Sequence, residues 1–137
     1  DNTTLRHICL QNNELTDDAV VALTGALPFL SLRSVRLEGH AYSQEVSNLV
    51  KEALDHNVVL EALSLGVYSS CTVQKKIRHR LRLTRAGRGL CRDFTQQPVS
   101  LLHHLLARVN RLWRTNREIN LTVIYGLLLE QPGMVTT

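Results

Sequence analysis

Apolar residues in the first half of the chain recur in short blocks of the form L-x-x-φ-x-L, where φ is aliphatic. The blocks begin at Leu5, Leu32 and Leu60, so that their starts are 27 and 28 residues apart. Within each block, apolar positions alternate with other residues, as in a strand that buries one face. The blocks therefore predict three equivalent short strands.

A helical pattern follows each of the first two blocks. Thr16 and Ser43 suit the N-cap position, and the acidic residues after them suit the positive end of a helix dipole. The apolar residues that follow are spaced by three and four, as on a single buried helix face. They are Ala19, Ala22, Leu23, Ala26 and Leu27 in the first segment, and Val46, Leu49, Val50, Ala53 and Leu54 in the second. Strand and helix patterns thus repeat in phase.

The first block continues through Asn13 and Leu15 to complete the pattern L-x-x-φ-x-L-x-x-N-x-L. Here the sequence resembles the leucine-rich-repeat family, specifically its ribonuclease-inhibitor-like class with a full helix in each repeat. The resemblance implies an α/β solenoid over residues 1–93, with about three repeats, short parallel strands inside and helices outside. His40 and Tyr68 stand where the second and third repeats would carry the asparagine, so we expect regularity to decline toward the C-terminus.

The third repeat is the least regular. A helix beginning near Ser70 would place Lys76 and Arg80 where the second helix has apolar residues, as expected for a terminal repeat with a polar outer face. Its core positions would be Val73, Ile77 and Leu81. The segment around residues 77–83 also fits an irregular edge strand, although the phase of the repeat favours the helix.

Residues 94–137 predict an all-α C-terminal cap. After a loop at residues 85–89, with a flexible turn at residues 87–89, Pro98 suits the first turn of a helix. The apolar stripe of that helix comprises Leu101, Leu102, Leu105, Leu106, Val109, Leu112 and Trp113. Residues 119–129 are apolar on several sides, which indicates a well-buried second helix that ends at Pro132. We expect a helical hairpin that covers the last strand of the repeats.

The net charge of +4 is distributed unevenly along the 137 residues. Residues 1–62 hold four basic and nine acidic side chains, whereas residues 63–137 hold twelve basic and three acidic ones. Eight of the cations form a predicted basic patch: Lys75, Lys76, Arg78, Arg80, Arg82, Arg85, Arg88 and Arg92. Three interpretations stay open: a solvated helix face, a site for an acidic protein surface, and a site for nucleic acid or anionic lipid. The lack of interleaved aromatic residues disfavours nucleic acid.

The resemblance also implies a partner-binding surface, because in this family the variable residues between the strand leucines face outward and bind partners. By position these are His7, Cys9 and Gln11, then Ser34, Arg36 and Glu38, then Ala62, Ser64 and Gly66. The alternative is a solvated strand face with no dedicated ligand. We also expect further repeats or another chain to cover the N-terminal strand edge near Ile8 and Leu10, because residues 1–4 are too few to form a cap. A chain that starts at Asp1 suggests a fragment or a processed protein.

Catalysis finds little support in the sequence. His7 and Cys9 share a strand face, but side chains two residues apart lie about 7 Å from each other, beyond hydrogen-bond distance. His103 and His104 are adjacent and point in different directions, so they form a poor metal pair. We therefore expect no catalytic residue, no metal and no cofactor.

The three cysteines lie far apart, and their odd number favours a reduced, intracellular setting. No apolar stretch approaches the length that spans a bilayer, which predicts a soluble protein. We expect a non-enzymatic protein–protein interaction or scaffold module in a larger protein or assembly. The alternative is a basic adaptor that binds nucleic acid or anionic membrane through residues 75–92.

Overall fold

The computed structural model describes residues 4–39, 42–66, 71–93, 98–116 and 121–130. The strands in these ranges are β1 His7–Cys9, β2 Ser34–Leu37 and β3 Ala62–Leu65. The α-helices are α1 Asp17–Ala26, α2 Gln44–His56, α3 Cys71–Ala86, α4 Arg88–Asp93, α5 Pro98–Asn116 and α6 Leu121–Glu130, and a 3₁₀ helix spans Leu27–Phe29. The chain forms two compact units, Asp1–Leu81 and Arg82–Thr137, so their boundary falls within α3.

The predicted leucine-rich-repeat solenoid is wrong as a fold class. The described chain is mostly helical (66%), its β structure is one three-stranded parallel sheet, and it forms a small mixed α/β domain. A further strand at the same interval would begin at residue 87 or 88, but α3 runs through Ala86 and α4 begins at Arg88. The apolar side chains beyond α3 pack among helices and not against a strand, so the strand–helix alternation does not propagate.

The core of the first unit lies between the sheet and its helices. β2 pairs in parallel with both neighbours, and Val35 stands opposite Ile8 on one side and Leu63 on the other. Because side chains alternate along a strand, these three residues share the face that packs against the helices. The helical part of this core is Val20 from α1, Val46, Val50 and Leu54 from α2, and Val73, Ile77 and Leu81 from α3. Residues 77–83 are therefore helical, and the edge-strand alternative is wrong.

Both predicted N-caps are present. Thr16 Oγ1 accepts a hydrogen bond from Ala19 N at 3.4 Å, and Ser43 Oγ accepts one from Val46 N at 3.3 Å. Each bond satisfies a backbone donor in the first helical turn, where no carbonyl of the helix is available. The starts of α1 and α2 therefore follow from local sequence.

Asn57 is a buried polar residue that follows α2 and connects three parts of the first unit. Its Nδ2 donates to the carbonyl oxygen of Leu27 at 2.9 Å. Its Oδ1 accepts from Val59 N at 2.9 Å and from Leu60 N at 2.8 Å. One side chain thus joins the end of α1 to the segment that enters β3, which helps to hold β3 in register.

The second unit is helical throughout its described residues. Its core combines Leu83 and Ala86 from the end of α3, Cys91 from α4, Leu101, Leu105 and Val109 from α5, and Val123 and Leu127 from α6. Pro98 begins α5, as predicted. The loop predicted at residues 85–89, with a flexible turn at residues 87–89, is wrong: only Gly87 separates α3 from α4. Gly87 has a φ of 113°, a backbone conformation that favours glycine. A Cβ atom added at this position would lie 2.9 Å from Leu105 Cδ2, which also favours glycine.

The predicted burial of the last helix is also wrong. In α6, Val123 and Leu127 are buried, whereas Leu121, Tyr125 and Leu129 are exposed. The helix therefore contacts the core along one side only, and an apolar side remains at the surface. The predicted end at Pro132 lies outside the described residues.

Candidate functional site

The residues predicted to bind a partner lie together on the face of the sheet opposite the core. His7 stands opposite Ser34, and Ser34 stands opposite Ala62, in one row across the three strands. Cys9, Arg36 and Ser64 form the next row. Gln11, Glu38 and Gly66 follow the ends of the three strands. His7, Cys9 and Arg36 are exposed, and Gln11, Ser34, Glu38 and Ser64 are partly buried.

Three of these side chains interact with one another. Glu38 Oε1 accepts a hydrogen bond from Ser64 Oγ, and Glu38 Oε2 lies 3.4 Å from Arg36 Nε. The hydrogen bond from Ser64, together with the charge of Arg36, holds the pKa of Glu38 below its usual value, against an opposing desolvation effect. The face therefore carries an ordered anion–cation pair, which suits polar recognition better than proton transfer.

The predicted basic patch consists of residues in different environments. Lys75, Lys76 and Arg78 are exposed on α3. Arg80 forms an ion pair with Asp55 of α2, with 2.6 Å between Nε and Oδ1. Arg82 and Arg85 are partly buried, and the side chain of Arg92 lies outside the described residues.

Arg88 differs most from its predicted position at the surface. Its side chain is 1% exposed, and its Nε lies 3.0 Å from Glu130 Oε1 of α6. It therefore stabilises the interior of the second unit and is not available to a phosphate group. Among the eight residues of the predicted basic patch, only Lys75, Lys76 and Arg78 have described side chains that are exposed.

A more prominent surface lies between α5 and α6, where the two helices enclose an apolar groove. Its lining consists of Leu106, Val109, Asn110 and Trp113 from α5, and Leu121, Thr122 and Ile124 from α6. The four residues of α5 are spaced by three and four, which places them along one side of that helix. Only Asn110 and Thr122 in this lining are polar, so the groove offers chiefly hydrophobic contact.

An apolar ridge on α6 begins in the groove and continues beyond it. Leu121, Tyr125 and Leu129 are four residues apart and are 81%, 63% and 61% exposed. Trp113 in the groove is 50% exposed. Continuous apolar surface of this kind is uncommon on monomeric proteins and marks sites that contact a partner. Tyrosine and tryptophan are also the residues that contribute most to protein interfaces.

Charged and polar residues border the groove on one side. His103 lies seven residues before the lining residue Asn110 and Arg114 lies four residues after it, so the three form a row along one side of α5. α5 contains three arginines and no acidic residue. The acid in α6 is Glu130, which is paired with Arg88. Arg114 therefore makes this border of the groove cationic, and no acidic residue of α5 lies beside it.

The sequence alone does not indicate this groove, because the apolar residues of both helices are equally typical of a core. The predicted hairpin would bury Leu106, Trp113 and residues 119–129. The sequence of α6 does carry an indication of this surface. A helix that packs against one core needs apolar residues on one side, whereas α6 is apolar on several sides. Such an excess indicates either full burial or a partner, and the periodicity does not distinguish them.

Potential metal ligands are dispersed over the described part of the chain. Within it, no group of three or more His, Cys, Asp or Glu side chains is arranged to hold a metal ion. Cys91 is buried, and burial together with the nearby charge of Glu130 raises the pKa of its thiol, which disfavours the nucleophilic thiolate. His103 and His104 are exposed on α5. None of the helices resolved here has both the length and the hydrophobicity needed to cross a membrane.

Comparison with known proteins found no family model that matches the chain, and no curated protein or solved structure that matches it significantly. The resemblance to leucine-rich repeats accordingly stays a prediction based on the three L-x-x-φ-x-L blocks.

Proposed function

We propose that this protein is a protein–protein interaction or scaffold module without catalytic activity of its own. The observation that carries the proposal is the apolar groove between α5 and α6, with the ridge beside it. Covering apolar surface releases about 25 cal/mol for each Å² removed from water. A partner that covers Trp113, Leu121 and Tyr125 would gain this energy at a site where water now contacts the side chains.

Two further observations support the same class of function. The sheet face presents His7, Cys9 and Arg36 in register, next to the pair formed by Arg36 and Glu38. The predicted resemblance to leucine-rich repeats agrees with a role in binding, because members of that family contact partners through residues of this kind. We propose an intracellular setting, since Cys9 is an exposed free thiol of the kind that a reducing compartment preserves.

The alternative function, binding of nucleic acid or anionic membrane through residues 75–92, has less support. Lys75, Lys76 and Arg78 remain as exposed cations on α3, but Arg80 is paired and Arg88 is buried. Affinity that depends on phosphate contacts falls steeply as salt rises, roughly in proportion to the number of contacts. A steep salt dependence that is lost when Lys75, Lys76 and Arg78 are replaced would favour this alternative.

The protein-binding proposal is tested by quantitative affinity purification with a matched pair of variants of the intact chain. Leu121→Asp places a charge on the ridge, and Phe29→Asp does the same at an apolar residue of the first unit that is 84% exposed. Both residues are well exposed, so neither variant should unfold the protein. We expect Leu121→Asp to lose the proteins that the wild type recovers and Phe29→Asp to retain them. Equal recovery by both variants would contradict a role for the groove.

A further inference from the structure

We infer that the groove between α5 and α6 binds an amphipathic helix whose apolar face is flanked by acidic residues. This inference rests on the proposed function and specifies the partner. It depends on two features of the second unit, the secondary structure of the groove walls and the charge around them, and the position of Trp113 makes it measurable.

The walls of the groove favour a helical ligand over an extended one. All seven lining residues belong to α5 or α6, so the walls of the groove contain no strand. An extended peptide laid here would find no strand edge to pair with and would leave its own backbone donors unsatisfied. A helix has satisfied its backbone internally, and its side chains can fill the space between two other helices.

The charge of the second unit favours an acidic ligand. The sequence of Arg82–Thr137 contains eight arginines against three acidic residues, a formal balance of +5. Arg114 lies four residues after Asn110 of the groove lining, on the same side of α5. Glutamate or aspartate beside the apolar face of a bound helix would face this cationic border, and complementary charge raises both association rate and specificity.

The same charge argues against a second copy of this chain as the occupant. Two copies that met through their grooves would bring two surfaces of the same sign together, and like charges at an interface cost free energy. The ridge residue Leu121 would then gain hydrophobic contact at the expense of repulsion between the arginines of α5. A different protein with acidic residues has no such penalty.

Trp113 makes the inference directly measurable. It is the single tryptophan of the chain and lies in the groove lining while half-exposed to solvent. A helix that covers the groove would remove water from the indole ring and shift its fluorescence to shorter wavelength. The signal therefore reports occupation of this groove, provided that the ligand itself contains no tryptophan.

The experiment uses two synthetic peptides of about 14 residues, or four helical turns. Both carry leucine at positions spaced by three and four, and neither contains tryptophan. One carries glutamate at the positions that flank the leucines, and the other carries lysine there. Each is titrated into the intact protein while the emission of Trp113 is followed, at about 50 mM and about 500 mM salt.

We expect the glutamate peptide to bind at least about tenfold more tightly at low salt, with the difference shrinking at high salt as the charges are screened. Arg114→Glu should remove most of the preference without abolishing binding. Leu121→Asp should weaken both peptides, and Phe29→Asp should weaken neither. This pattern would support both the helical ligand and its acidic flanks.

Four results would overturn the inference, and they also separate it from the proposed function. Equal affinity for the two peptides would refute acidic recognition and leave the proposed protein binding intact. The same conclusion would follow if neither peptide bound while the recovery of cellular partners remained sensitive to Leu121→Asp. The emission of Trp113 could also shift with vesicles containing about 20% phosphatidylserine but with neither peptide. This result would indicate that the groove binds a membrane surface. If Leu121→Asp changed neither the affinity for the peptides nor the recovery of cellular partners, both proposals would be refuted.

Discussion

Arg88 and Glu130 form an ion pair that joins α4 to α6 inside the second unit, with 3.0 Å between Nε and Oε1. The arginine is almost completely buried, and the carboxylate is only slightly more accessible. Removing two charges from water carries a large desolvation cost, which their attraction offsets only while both partners are present. The pair therefore holds the C-terminal end of α6 against α4, while Val123 and Leu127 pack the rest of α6 into the core.

Glu130→Ala should destabilise the protein by about 3–5 kcal/mol, because it removes the carboxylate that compensates a buried guanidinium. The free energy of unfolding from urea denaturation would measure the effect. As a control, the double variant Arg88→Met with Glu130→Leu should recover most of the loss, since it removes both charges. A double variant as unstable as Glu130→Ala would contradict the importance of charge compensation.

Asn57→Ala should cost about 2–4 kcal/mol, since it breaks three hydrogen bonds and leaves buried backbone groups without that partner. Asn48→Ala is a suitable control because Asn48 is exposed on α2 and its side chain accepts one bond from Gln44. We expect the control to change stability by less than about 0.5 kcal/mol. Equal unfolding midpoints for the two variants would show that Asn57 does not hold β3 in place.

Leu37→Ala should destabilise the first unit by about 2–5 kcal/mol, because Leu37 lies fully within its core. Leu5→Ala offers a comparison from the first position of another L-x-x-φ-x-L block, where the side chain is 44% exposed. It should cost much less, since little buried surface is lost. Similar losses for both variants, measured by thermal unfolding, would mean that Leu5 is more buried than the structure indicates.

The carboxyl group of Glu38 should titrate at a lower pH than an ordinary glutamate. The pKa of Glu38 is lower in the folded protein than in the unfolded chain, where it has the ordinary value of about 4.3. The ionised carboxylate therefore stabilises the fold at pH values above about 4.3, and this stabilisation is lost as the pH falls through the folded-state pKa. Ser64→Ala removes the main cause of the depression, so the pKa of Glu38 should rise toward the ordinary value. Carboxyl ¹³C chemical shifts followed against pH would measure it. An unchanged pKa in the variant would assign the depression to Arg36 alone.

Local sequence determined the elements whose causes lie within a few residues. The three strands fall within the L-x-x-φ-x-L blocks, Thr16 and Ser43 cap the next helices, and Pro98 begins α5. Alternation, side-chain caps and a fixed proline φ act over one or two turns, so they can be recognised without the rest of the fold.

Only the tertiary structure decided what those elements contact. The repeat spacing predicted a solenoid, but the chain after β3 packs helix against helix, and no local pattern excludes that choice. Arg88 lies in a basic run typical of a solvated surface, and its burial depends on Glu130, which is distant in sequence. The apolar stripe of α5 and the residues of α6 show which sides avoid water, but not whether this chain or a partner covers them. The periodicity of apolar residues determines which side of a helix avoids water, whereas tertiary packing determines which surface covers that side.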